Sequence, residues 1–175
     1  MPAWMPADAK RAMDSLPEHL RRVVVLALYS GQRRGDLITL PWSAYDGRVL
    51  RLRQQKTGAQ LVIPCHPALK AELDAWKRSA TSTLTLTNAR GRPWGSCDVS
   101  KRLQLELAKI PGFPHGRNIH GLRKLAAANL AEAGCTLHEI ASVTGHASLG
   151  MLQLYTKSVD QERLSASAIS KLGGL

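Results

Sequence analysis

Residues 119–157 read IHGLRKLAAANLAEAGCTLHEIASVTGHASLGMLQLYTK, and four side chains in this stretch could act on a phosphodiester. His120 and Arg123 stand three apart in a run that reads as helix, so they leave one face. His146 follows Gly145 at the end of a short amphipathic run, and Tyr155 comes nine positions later. An arginine forks onto phosphate oxygens, an imidazole moves protons near neutral pH, and a phenol can attack phosphorus. A phenol titrates near ~10, so attack at neutral pH requires cations that favour phenolate and a base that takes its proton. Upstream, Ser30-Gly31-Gln32-Arg33-Arg34-Gly35-Asp36 supplies a further arginine and Lys56-Thr57-Gly58 a lysine.

Arg33, Lys56, His120, Arg123, His146 and Tyr155, in that order, resemble the catalytic set of the tyrosine recombinase (phage integrase) family. That family carries its first arginine in a T-G-x-R-x-x-E-like box and its lysine in a hairpin often written K-T-G. It carries the others as H-x-x-R, G-H and a downstream tyrosine. Asp36 stands where the family usually has glutamate; that acid helps hold the local backbone and touches no reacting atom.

The resemblance implies metal-free, cofactor-free phosphoryl transfer. Tyr155 is the nucleophile and becomes joined to a 3′ phosphate, releasing a 5′ hydroxyl. Arg33 and Arg123 clamp the non-bridging oxygens and His146 adds a hydrogen bond. Lys56 is the general acid and His120 the proton acceptor. The implied partners are double-stranded DNA at a recombination site and other copies of the chain in a tetrameric synapse, with the isolated chain expected as a monomer. With Arg33 so early, residues 1–175 are expected to be a single catalytic domain lacking the family's N-terminal core-binding and arm-binding domains. Weak DNA affinity with steep salt dependence follows.

Two other classes fit parts of the sequence. Residues 130–155 can be read as the helix-turn-helix of a non-catalytic DNA-binding protein, which leaves Arg33, Lys56, His120, Arg123 and Tyr155 unexplained. A type IB topoisomerase-like enzyme shares the nucleophile, but the Gly-His before Tyr155 favours the recombinase.

Composition agrees with a polyanionic partner. Lys and Arg outnumber Asp and Glu by 24 to 13, a formal net charge of +11. At 175 residues, 44% of them hydrophobic, the chain suits one domain with its own core. Cys65, Cys97 and Cys135 are odd in number and without a C-x-x-C, which argues against a disulfide framework and a zinc site. Buried reduced thiols are expected. No signal segment opens the chain and no apolar run approaches the ~20 residues of a membrane span. A cytoplasmic, bacterial or phage-encoded protein on the nucleoid is therefore expected, with no membrane partner.

The elements that must position these residues read as α+β, mainly α-helical, with a small antiparallel sheet near the N-terminal third. Residues 7–16 suit a first helix, and Pro17 opens a second whose Leu20, Val23, Val24, Ala27 and Leu28 share one face until Gly31 ends it. Arg33 then falls on a turn. Residues 48–53 and 60–63 pattern as two strands, with Lys56 on their connection. A helix follows over 68–78, and residues 81–87 fit an edge strand or an extended loop. Ser96 is expected to cap a helix over 98–109. In the last third Leu122, Leu125, Ala126, Leu130 and Ala133 line one core face and Thr136 caps the next helix. Ser148 caps the helix bearing Tyr155, and a final amphipathic segment spans 160–172.

Overall fold

The computed structural model describes residues 4–148 together with 150, 165 and 168–170. Apart from those isolated positions, the Tyr155 helix, Tyr155 itself and the segment 160–172 lie outside the described residues. The described chain is mainly helical with one two-stranded antiparallel sheet, as the pattern predicts. Its helices are α1 (Pro6–Ser15), α2 (Glu18–Ser30), α3 (Arg34–Ile38), α4 (Pro67–Arg78), α5 (Ser96–Leu107), α6 (Ile119–Glu132) and α7 (Leu137–Thr144). The strands are β1 (Val49–Arg53) and β2 (Gln60–Pro64).

Helix α2 forms the centre. Leu20, Val23, Val24 and Ala27 are fully buried, and the helix packs on α6 through Leu122 and Ala126. Burying each such Val or Leu contributes roughly 1.5–3 kcal/mol. Gly31 ends α2 in the left-handed conformation at φ 62. The N-terminal end of α6 is held just as firmly. Arg117 pairs with the nearly buried Asp8 at 2.8 Å, and Trp4 Nε1 donates to the Asn118 carbonyl at 2.9 Å. The Asn118 side chain in turn caps α6 by accepting from Gly121 N. His120 and Arg123 therefore start from a fixed helix end.

In the sheet Leu50 faces Ile63 across the strands and both are buried, while Arg51 and Arg53 stay exposed. Helix α4 buries Leu69, Leu73 and Trp76, the face its spacing predicts. Thr136 caps α7 through a capping box with Glu139.

Four local expectations need correction. Arg33 leads into the short helix α3 rather than a plain turn. Ser96 lies inside α5, and Gly95 is its N-cap, where a Cβ would stand 2.4 Å from the Asp98 carboxylate. In α6 the buried positions beyond Ala126 are Ala127 and Ala131; Leu130 is half-buried and Ala133 exposed, because α7 meets α6 through Ile140, Ala127 and Ala131. The cysteines are free thiols, but Cys97 is exposed and the other two only half-buried. Residues 81–87 resolve as an extended loop with isolated bridges, Pro41 to Leu84 and Thr87 to Pro93. No helix among the described residues is long and apolar enough to cross a membrane.

Candidate active site

Arg33 is the N-cap residue of α3, immediately after the left-handed Gly31 turn. Its Nη1 donates to Gln54 Oε1 at 2.5 Å, which orients the guanidinium. One turn on, Asp36 is buried and its Oδ1 accepts from Gln55 N at 2.9 Å, so the acid holds the base of the β1–β2 hairpin. The backbone-supporting role expected of Asp36 is thus visible as a hydrogen bond.

Arg123 is 1% exposed, the largest charged side chain in the interior. Its Nη1 donates to the Gly31 carbonyl at 2.7 Å and the Thr144 carbonyl at 2.6 Å. Thr144 closes α7, and its carbonyl has no partner within that helix's ladder. Arg123 therefore ties the ends of α2 and α7 together, and its charge is felt at His120.

His146 follows the left-handed cap Gly145 at φ 69. Its Nδ1 lies 2.7 Å from Thr144 Oγ1, and the same oxygen lies 2.6 Å from the Ile140 carbonyl. A hydroxyl has one proton and a carbonyl has none, so Thr144 must donate to Ile140 and accept from His146. The neutral ring therefore carries its proton on Nδ1, and Nε2 gains one only in the imidazolium. Burial first, then the charges of Arg123 and Arg33 and the neighbouring His120, push the His146 pKa down to about 4. His120 shifts the same way, from burial and from Lys124, Arg123 and Arg33. The downward shifts favour the neutral form of both imidazoles, the form in which His120 can accept a proton.

Lys56 sits on the hairpin connection and is exposed, with Thr57 and Gly58 exposed beside it. Together with Arg33, Asn118 and His120 it lines a cleft of about 510 Å³. Of the six residues singled out by spacing, Arg33, Lys56 and His120 share this cleft. Arg123 and His146 are not in its lining, but His146 lies close enough to Arg123, Arg33 and His120 to feel their charges, and Tyr155 lies outside the described residues. Among the described residues no group of three His, Cys, Asp or Glu is placed to hold a metal ion.

The other histidines are apart from this site. His66 is exposed and caps α4 by accepting from Ala68 N at 3.2 Å. His115 and His138 are exposed, whereas His19 is half-buried and stacks on Trp94. Three residues of the site escape a motif search: Gln32, Gln54 and Thr144, all buried. Gln54 did leave a trace, because the inward series Leu50, Leu52 continues to position 54. A polar residue at an inward strand position needs partners.

Comparison with known proteins places the chain in a family. The model of the phage integrase family matches residues 5–162. The chain is 26% identical over 178 residues to tyrosine recombinase XerA of Pyrococcus horikoshii, covering 98% of this chain and 62% of that one. A lambda integrase dimer bound to a COC′ core site superposes with a TM-score of 0.77 at 26% identity, over 91% of this chain and 62% of that one. A lambda integrase tetramer bound to a Holliday junction superposes at 0.76 and 26% identity, over 88% and 47%. The chain spans less than two thirds of the length of the curated relatives it matches first.

Proposed function

The chain belongs to the phage integrase family, and from that premise we propose that it cleaves and rejoins DNA strands at a specific site through a 3′-phosphotyrosine. One observation carries the proposal. Arg33, Lys56 and His120 line one cleft, and Arg123 and His146, each held by protein oxygens, lie near enough to His120 and Arg33 for their charges to interact.

In this mechanism a backbone phosphate docks between Arg33 and Arg123, whose orientation is set before the substrate arrives. Neutral His120 accepts the proton of the Tyr155 phenol. The phenolate oxygen forms the new bond to phosphorus and the bond to the 5′ oxygen breaks. Lys56 gives that oxygen a proton, and a 5′ hydroxyl is released. His146 donates to a non-bridging oxygen as charge builds on it, which requires the imidazolium form. The phosphate that arrives supplies the negative charge to raise its pKa. Attack of a second 5′ hydroxyl on the phosphotyrosine reverses each step, so the phosphodiester energy is conserved.

The substrate is double-stranded DNA, in keeping with the excess of 24 basic over 13 acidic residues. The working assembly is a tetramer of family catalytic domains on two duplexes, a reading supported by the lambda integrase tetramer on its junction. Such a substrate places the protein on the nucleoid.

The test is covalent capture. A nicked duplex carrying a sequence recovered by this chain from a random pool is incubated without metal and resolved on a denaturing gel. A protein–DNA adduct lost in Tyr155→Phe is expected. Binding without any adduct would instead support the helix-turn-helix reading, and supercoil relaxation without strand exchange the topoisomerase-like one.

A further inference from the structure

The Gln54 side chain is fully buried, and each of its four hydrogen-bonding positions is used. Oε1 accepts from Arg33 Nη1 at 2.5 Å and from Thr57 Oγ1 at 2.9 Å. Nε2 donates to Gln32 Oε1 at 2.7 Å and to the Thr144 carbonyl at 2.8 Å. The orientation of the amide follows from the network. Gln32 Nε2 is committed to the carbonyls of Ser30 at 2.8 Å and Val143 at 2.9 Å, so its oxygen must face a donor.

The backbone of Gln54 also closes the hairpin: its N–H donates to Ala59 O at 2.9 Å and its carbonyl accepts from Gly58 N at 2.8 Å. One residue therefore contacts the Arg33 guanidinium, the loop bearing Lys56, and the carbonyl on which Arg123 is anchored. The next residue after that carbonyl is Gly145. A Cβ there would lie 2.4 Å from Gln54 Nε2, so the glycine before His146 makes room for this amide.

From these contacts we infer that Gln54 is the positioning residue that sets Arg33 and the Lys56 hairpin in register with the Thr144–His146 turn. It does not line the cleft and touches no reacting atom. It acts through the residues that do. The inference rests on the proposed strand-transfer reading for its catalytic consequence, while the positioning itself is measurable without DNA.

The experiment uses Gln54→Met, which keeps length and packing but removes all four hydrogen bonds, and Gln54→Glu, which keeps the two accepting contacts and loses both donors. In the free chain, ¹⁵N spectra of Arg33 report slow rotation of the tethered guanidinium. Rotation is expected to become fast in Gln54→Met and to stay slow in Gln54→Glu. Unchanged rotation in Gln54→Met overturns the inference whatever the activity.

With the selected nicked duplex, Gln54→Met is expected to cut the rate of adduct formation about 100-fold, with duplex affinity within about threefold. A substrate whose bridging 5′ oxygen is replaced by sulfur leaves as a thiolate and needs no general acid. Part of the Gln54→Met defect should vanish on it, the part exerted through Lys56. A merely structural role for Gln54 would slow both substrates equally, and that result, or a rate within threefold of the parent, overturns the inference. If the parent forms no adduct but Arg33 is released in Gln54→Met, the strand-transfer reading fails, and the catalytic half of the inference with it. Should Gln54→Met not fold, Thr57→Val decides: it removes only the hairpin's side-chain contact with Gln54, so its slowing must largely vanish on the sulfur substrate, and equal slowing on both substrates overturns the inference.

Discussion

Arg123 and Lys56 bring the same charge to the candidate site from opposite surroundings. Arg123 is 1% exposed and its guanidinium is held by the carbonyls of Gly31 and Thr144. Lys56 stands on an exposed hairpin connection whose tie to the core runs through its neighbours, Gln54 and Gln55. An arginine keeps its charge when buried and presents a rigid fork, which suits fixed stabilisation of a charged transition state. A lysine on a loop can give up a proton and swing to solvent to regain it. The two cations are therefore suited to different work in the proposed mechanism: one to stay still, the other to move.

Removing the fixed side should have the larger effect and should cost stability as well. Arg123→Ala strands the Gly31 carbonyl, leaves the Thr144 carbonyl with Gln54 Nε2 alone, and unties the ends of α2 and α7. A loss of about 2 kcal/mol in unfolding free energy and at least ~10³-fold in adduct formation is expected. Denaturant titration and the covalent-capture gel check the two parts. An Arg123→Ala chain as stable as the parent would show that the anchoring contacts do no structural work.

Removing the mobile side should leave the fold alone. Lys56→Ala is expected to change stability by less than ~0.5 kcal/mol and to slow cleavage about 10²-fold. A sulfur leaving group should restore most of that rate. Restoration in Arg123→Ala as well would erase the distinction between the two sides.

What could be read from the sequence divides along the same line. Arg33, Lys56, His120 and Arg123 are legible because the proposed chemistry runs through each residue's own side chain, and spacing along helix or loop records their relative placement. The core faces of α2 and α4 are legible for a related reason, since burial writes a period into the chain. The contacts that hold the arginines leave at most the inward strand position of Gln54, which names no partner. Gln32, Gln54 and Thr144 bond across separations of 22, 90 and 111 positions, and nothing local marks a glutamine that will meet a carbonyl ninety residues away. Gly145 reads as a helix stop, yet its second constraint is the Gln54 amide lying where a Cβ would go. The cap of α5 was misplaced by one residue because Ser96 has the right chemistry, whereas Gly95 has the room beside Asp98.

The smallest expected effect separates fixed from mobile within one residue, His146. Its ring is fixed by Thr144 Oγ1 but its charge is not, since the pKa of about 4 rises when a phosphate docks. In the free fold the pKa lies below the unfolded value, so the unfolded chain binds the extra proton first. Stability from this group is full above about pH 6.5 and declines as pH falls toward 4. In the complex the sign reverses: donation to phosphate from Nε2 needs the proton, so cleavage by the parent should fall as pH rises from 6 to 8. Thr144→Val removes the acceptor at Nδ1 and lets the neutral ring carry its proton on Nε2 instead. The variant should be about fivefold slower at pH 6, the worth of one lost hydrogen bond, with a flatter decline toward pH 8. Ring ¹⁵N shifts of His146 should report the Nδ1–H form in the parent and a move toward Nε2–H in Thr144→Val. Superimposable pH profiles, or an Nε2–H ring in the parent, would mean that the Thr144 proton points at the histidine rather than at Ile140.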